Sequence, residues 1–149
     1  LLGIITRKYN NVIGVSGTHG KTTVSSMITQ TFIMNNLDPT AVIGGRLPMI
    51  NANGCAGESE NMVCEACEFV DTFLHLSPDQ AVLLNIDNDH LDYFKNFENI
   101  VNAFRKYVAL LPYDGLLVVN ADDKHERILK VISDANAEKR YLNSFHPEV

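Results

Sequence analysis

No stretch of this sequence reaches the roughly 20 consecutive apolar residues that a bilayer crossing needs, and its first residues show no charged-then-apolar leader. The chain therefore reads as soluble. Basic residues are scarce: 12 Lys and Arg stand against 18 Asp and Glu, a formal charge of −6. That balance leaves no basic footprint for nucleic acid or anionic lipid, so an anionic partner would have to be held locally and with the help of a metal. Cysteine is sparse too. Three residues, an odd number, make no disulfide framework and fit a reducing cytoplasm. Cys64-Glu-Ala-Cys67 has C-x-x-C spacing, yet no second pair completes a zinc site and no thioredoxin-like context surrounds it. Repeats and low-complexity segments are absent. What is present, 149 residues of which 46% are apolar, suffices for one well-buried core, so one domain is expected.

Residues 11–22, Asn-Val-Ile-Gly-Val-Ser-Gly-Thr-His-Gly-Lys-Thr, run from an apolar stretch into a glycine-rich turn and then a Lys-Thr pair. Val12, Ile13 and Val15 predict a short buried strand. Gly17 and Gly20 let the backbone turn tightly and aim N–H groups inward, a nest that phosphate oxygens fill. A helix starting near Lys21 adds unpaired N–H groups and the positive end of its dipole. The Lys21 ammonium can reach the β/γ-phosphates and the Thr22 hydroxyl can ligate Mg²⁺, so the stretch reads as an ATP or GTP site. The strict pattern G-x-x-x-x-G-K-[ST] is met except that Val15 stands at the first glycine position. A plain glycine turn with an exposed lysine is the alternative.

Further along, Val24, Met27, Ile28, Thr31 and Phe32 recur at helical spacing and predict a helix over 21–35. Asp38-Pro39 turns the chain into a second strand at 41–43 that stops at Gly44-Gly45. Residues 46–60 carry neither period and read as a long surface loop. A third strand is expected at 62–64, with Glu65 at its end, and a turn or short helix at 71–76. Residues 81–86 form the most apolar run, suited to a strand buried on both faces. Phe97, Ile100, Val101, Phe104, Tyr107, Val108 and Leu111 draw one stripe along a helix that ends before Pro112. A strand at 116–119, a helix marked by Ile128, Leu129, Val131 and Ile132, and an apolar Tyr141-Leu142 complete the pattern. Alternating strands and helices imply an α/β fold with a doubly wound, mostly parallel sheet. Ligands in such folds sit beyond the carboxyl ends of the strands, where three polar clusters fall: 17–22, 65–68 and 85–92.

The third cluster, Asn85-Ile-Asp-Asn-Asp-His90-Leu-Asp92, is not an EF-hand. Asp87, Asp89 and Glu98 would take loop positions 1, 3 and 12, but position 5 would be Leu91 and the glycine position is Asp92. A divalent-metal site is the better reading, with His90 supplying nitrogen and Glu65 oxygen. Mg²⁺ keeps several waters and needs few protein ligands, and a second cation would neutralise charge during phosphoryl transfer. His75, His125 and His146 read as capping or surface residues.

The segments Gly-Thr-His-Gly-Lys-Thr-Thr (17–23), Glu-Ala-Cys-Glu-Phe (65–69), Phe-Leu-His-Leu-Ser-Pro (73–78) and Asn-Ile-Asp-Asn-Asp-His-Leu-Asp-Tyr-Phe (85–94) occur in an order and spacing that resemble the central ATP-binding domain of the Mur ligases, on their alanine-adding branch. The resemblance covers nearly the whole chain. It implies an ATP-dependent ligase that adds L-alanine to UDP-N-acetylmuramate through an acyl phosphate in the cytoplasm, built from three domains of which this chain is the middle one. On that reading residues 1–10 are a linker remnant, and 11–149 are the ATP-binding domain, cut short on its C-terminal side. The resemblance further implies that Gly17, Thr18, His19, Gly20, Lys21, Thr22 and Thr23 bind ATP, that Thr22 ligates the nucleotide Mg²⁺, and that Glu65 and His90 hold a second metal; Lys21, Glu65 and His90 are the expected catalytic set. His19 marks the alanine-adding branch and either contacts substrate or shapes the loop. Where several Mur ligases carry a carbamylated lysine, the count from His90 falls on Arg105, with Lys106 next to it. A tripeptide-adding recycling ligase, a folylpolyglutamate-type ligase and a non-catalytic nucleotide-binding module are the alternatives.

Overall fold

The computed structural model describes residues 1–88, 91–120, 131–132 and 138–142. Its centre is β1, Asn11–Ser16, which pairs in parallel with β4, Asn61–Glu65, on one side and with β5, Gln80–Leu83, on the other. β2, Thr40–Leu47, lies parallel beyond β4, while β6, Leu116–Asn120, and β7, Glu138–Leu142, lie parallel beyond β5. β3, Ala52–Cys55, closes the β2 edge in the antiparallel sense. The seven strands run in the order β3-β2-β4-β1-β5-β6-β7, so the expected mostly parallel sheet is present. Because β1 sits in the middle, the loops after β1, β4 and β5 open side by side at one end of the sheet.

Side-chain alternation along the strands builds two faces. Val12, Met62, Cys64, Ala81, Leu83, Leu117 and Val119 join one cluster with Phe73, Phe104 and Tyr107. Phe104 and Tyr107 come from α4, Phe97–Val108, whose apolar stripe falls where the periodicity predicts it. The Asn96 side chain caps this helix by accepting from the Asn99 N–H at 2.9 Å. Phe73 stacks on Tyr107 at 4.7 Å and meets Phe104 edge-on at 5.4 Å, which ties the 3₁₀ segment Phe69–His75 to the core. On the other side, α2, Lys21–Met34, packs on β1, β2 and β4 and buries Ser25 and Thr29 against them. The first residues also belong to this packing. In α1, Leu2–Thr6, and just after it, Leu2, Ile5 and Tyr9 lie on the main core, and the Tyr9 hydroxyl donates to Thr40 Oγ1 at 2.9 Å.

Three expectations are corrected. β2 does not stop at Gly44-Gly45 but continues to Leu47 and turns back into β3, so part of the expected 46–60 loop is a hairpin. β3 is a partly exposed edge strand held by backbone pairing, which requires no apolar alternation, and that is why the sequence shows none. β5 ends at Leu83, not at residue 86. Leu84 N–H makes a last bond to β1, at Ser16 O and 3.0 Å, and Ile86 beyond it is buried in the core as loop, so its apolar character reflects packing without strand pairing. The helix read to Leu111 ends at Val108, and Leu110 and Leu111 continue in turns. Val131 and Ile132 are helical and buried, while Ile128, Leu129, His125 and His146 lie outside the described residues. No helix among the described residues is long and apolar enough to cross a membrane.

Candidate active site

The loop between β1 and α2 is shaped by two glycines at positive φ, 134° at Gly17 and 88° at Gly20, backbone angles that side-chain-bearing residues rarely adopt. Val15, the departure from the strict pattern, is a fully buried strand residue, so the turn begins two residues later, at Gly17. Gly20 caps α2 with no side-chain bond, leaving the first N–H groups of the helix without intrahelical partners. A nest and a helix N-terminus thus face the same space, the arrangement that attracts phosphate.

Neighbouring loops hold this one in place. Asn85 Oδ1 accepts from the His19 N–H at 2.9 Å and Asn85 Nδ2 donates to His19 O at 3.0 Å. Thr18 N–H donates to Asn85 O at 3.1 Å, and Thr18 Oγ1 accepts from the Asp87 N–H at 2.9 Å. The loop after β5 therefore clasps the β1–α2 loop through residues 18 and 19. The His19 imidazole is two-thirds exposed, with Nε2 3.9 Å from Asp87 Oδ2. Thr23 lies exposed in the first turn of α2.

Glu65, the last residue of β4, faces the start of α2. Thr22 Oγ1 donates to the Glu65 carboxylate, 2.9 Å from Oε2 and 3.1 Å from Oε1, and Gly44 N–H donates to Oε2 at 2.7 Å. Gly44 can occupy this place because it lacks a side chain: a Cβ there would lie 2.6 Å from Oε2. A hydroxyl and a carboxylate form an oxygen donor set that suits a hard cation such as Mg²⁺. Among the described residues no three His, Cys, Asp or Glu side chains gather as a metal cluster. Thr22 and Glu65 are brought together, and His90 lies outside the described residues.

Lys21 has a partner that sequence reading did not assign. Its Nζ donates to Gly17 O at 2.7 Å and Thr18 O at 3.2 Å, and it lies 2.9 and 3.1 Å from the two oxygens of Glu68. Glu68 is 2% exposed and the Lys21 side chain 12%. The signal was the charge itself, a second glutamate three residues after Glu65 in a cluster read as ligand-facing. Just beyond, Val70 and Asp71 both take φ 54°, and the Tyr93 hydroxyl donates to Asp71 Oδ2 at 2.7 Å, a bond that raises the Tyr93 phenol above its ordinary range. Asp71, Tyr93, Asn99, Arg105 and Lys106 line a cavity of about 810 Å³ beside α4, and Arg105 Nη1 donates to Asn102 Oδ1 at 3.2 Å. Cys64 is buried, which pushes its thiol up to about 12, whereas Cys67 is exposed.

A family model described as the Mur ligase middle domain matches residues 15–147. The UDP-N-acetylmuramate-L-alanine ligase of Caldicellulosiruptor saccharolyticus is 49% identical over 124 residues, 83% of this chain and 27% of the relative. The enzyme of the same name from Clostridium acetobutylicum is 49% identical over 128 residues, 86% of this chain and 27% of its own length. The chain thus spans little more than a quarter of these relatives. Among solved structures, a UDP-N-acetylmuramate:L-alanyl-γ-D-glutamyl-meso-diaminopimelate ligase from Neisseria meningitides superposes with a TM-score of 0.84 at 28% identity, covering 94% of this chain and 48% of that one. The UDP-N-acetylmuramate-alanine ligase of Thermotoga maritima gives 0.73 at 26% identity, over 85% and 29%. A MurF ligase of Thermotoga maritima, solved with ADP, shares the fold at 0.69 and 21% identity, over 97% and 36%.

Proposed function

This chain belongs to the Mur ligase middle-domain family, and from that premise we propose that it is the ATP- and Mg²⁺-holding part of a cytoplasmic ligase that joins L-alanine to UDP-N-acetylmuramate. The observation that carries the reading is the meeting of Thr22, at the start of α2 beside Lys21, with Glu65 at the end of β4, next to a glycine loop clasped by Asn85. In the proposed reaction the muramate carboxylate takes the γ-phosphoryl group of ATP, releasing ADP. The alanine amine then displaces phosphate to form the amide. The backbone N–H groups of residues 20–23 at the start of α2 cradle the phosphates, those of Thr18 and His19 being given to Asn85, and the Lys21 ammonium stabilises negative charge as it moves between oxygens. Thr22 and Glu65 offer oxygen ligands to Mg²⁺, and His90 is proposed as the further ligand. The cation, when bound, neutralises phosphate charge. The alanine nitrogen gives up a proton as the amide forms, and it leaves with the displaced phosphate or to water, so the contribution of these residues is chiefly positional and electrostatic.

The superposition on the Neisseria enzyme favours a second reading, a ligase that attaches a tripeptide; the higher identity to the alanine ligases supports the first. The test is phosphate release by the protein extended at both ends to the length of its relatives, given UDP-N-acetylmuramate, ATP and either L-alanine or the tripeptide. Release with L-alanine alone is expected, and Lys21→Ala should abolish it. Turnover only with the tripeptide would establish the second reading, and turnover with neither would refute both.

A further inference from the structure

We infer that Glu68 is a resident counter-ion for Lys21, occupying the ammonium that nucleotide phosphates take, so that nucleotide binds by displacing it. The inference rests on the reading that the loop holds phosphates. An ammonium has three donors, and in this structure all three are engaged: Gly17 O, Thr18 O and the Glu68 carboxylate. Two of these acceptors are backbone carbonyls of the loop itself, fixed by its turn. Only the Glu68 carboxylate is borne on a side chain that can swing, so it is the partner a phosphate replaces.

The surroundings of Glu68 support an exchange. Its Oε2 lies 2.9 Å from Nζ, and no other described group donates a hydrogen bond to it, although the side chain is 2% exposed. Among the described residues Lys21 is thus the only polar partner of that oxygen, while packing surrounds the rest of the side chain. The following turn carries two successive residues in the left-handed region, and one of them, Val70, is β-branched, for which that conformation is strained. Phe69 and Val70 are about half exposed, so the turn beyond Glu68 is held chiefly by the Phe69–Tyr93 ring contact and the Tyr93–Asp71 bond.

The consequence has a definite sign. With Glu68 present, an incoming phosphate exchanges one anion on Lys21 for another and gains little there. With Glu68→Gln, the partly buried ammonium lacks its counter-ion in the empty protein, so the empty state is destabilised and the same phosphate gains more. A residue that merely positioned Lys21 for nucleotide would give the opposite sign, and a merely structural one would leave affinity unchanged.

Calorimetric titration of the chain with a non-hydrolysable ATP analogue and Mg²⁺, alongside thermal melts without nucleotide, tests this. Glu68→Gln is expected to bind the analogue roughly tenfold more tightly than wild type, the scale of one charge-assisted bond, while melting at a lower temperature when empty. Equal or weaker affinity for Glu68→Gln, with wild type binding, overturns the inference and leaves the phosphate-loop reading standing. Absence of binding by wild type and Glu68→Gln alike overturns that reading and the inference with it. A structure of the wild-type chain with the analogue is independent of how any variant folds. Lys21 Nζ turned from Glu68 to phosphate oxygens is expected, and a Lys21–Glu68 pair still intact over bound phosphate refutes the exchange.

Discussion

A missing methyl at Gly44 decides whether Glu65 can face the phosphate loop. Gly44 gives the carboxylate both a backbone donor and room, since a Cβ would lie 2.6 and 2.8 Å from its two oxygens. Gly44→Ala should therefore push Glu65 away from Thr22 and remove much of the Mg²⁺-dependent part of nucleotide binding. A loss of roughly tenfold is the scale of one or two charge-assisted bonds. Titration with and without Mg²⁺ checks it, with circular dichroism to confirm the fold; an unchanged Mg²⁺ dependence would remove Glu65 from the cation site. The two cysteines of the C-x-x-C spacing also differ at this scale. Burial pushes the Cys64 thiol up to about 12, whereas Cys67 is exposed, so the two thiols meet different surroundings.

At the scale of elements, α4 is placed by its apolar stripe, and Tyr107 is the one polar group on that buried stripe. Its ring stacks on Phe73, but its hydroxyl is buried without a hydrogen-bond partner among the described residues. Leaving such a group unsatisfied costs about 1–3 kcal/mol, so Tyr107→Phe, which keeps the stack, should leave stability unchanged or raise it by about 1 kcal/mol. Urea unfolding measures this, and a clear loss of stability would mean that the hydroxyl has an acceptor. The β2–β3 hairpin is the opposite kind of element. It carries Gly44 to Glu65; β2 buries Ala41, Ile43 and Leu47 in a small cluster, while β3 shows no apolar alternation and is held by its pairing with β2.

For the whole molecule, the buried titratable groups on the α4 face set an alkaline limit. Burial raises Cys64 from 9.0 to about 12 and raises Tyr107 in the same direction. In the unfolded chain these groups lose their protons near their ordinary values, while the folded protein keeps them. The stabilising difference is therefore fully present below about pH 9 and is lost as pH rises toward 12. Thermal midpoints should be flat on the alkaline side up to about pH 9 and fall beyond it, and Cys64→Ala should shallow the fall. The same slope in Cys64→Ala and wild type would show that the thiol takes no part.

The local features of this protein are written in consecutive residues. The glycine turn before α2 needs only Gly17, Gly20 and the helix start, and the α4 stripe needs only its own spacing, so both are legible from sequence. Cross-strand partnerships are not. Lys21 meets Glu68 across 47 positions, Thr22 meets Glu65 across 43, and Asn85 clasps His19 across 66. Those meetings depend on β4 and β5 flanking β1, an order that no local periodicity encodes. Similarly, Gly44 looks like the end of a strand until β2 is laid beside β4 and its missing side chain proves to be the space Glu65 fills. The sequence by itself determined which groups could handle a phosphate, because that chemistry lies in residue types and short spacings. Only the tertiary structure decided which carboxylate faces the hydroxyl and which neutralises the lysine, because strand order sets the distances between charges.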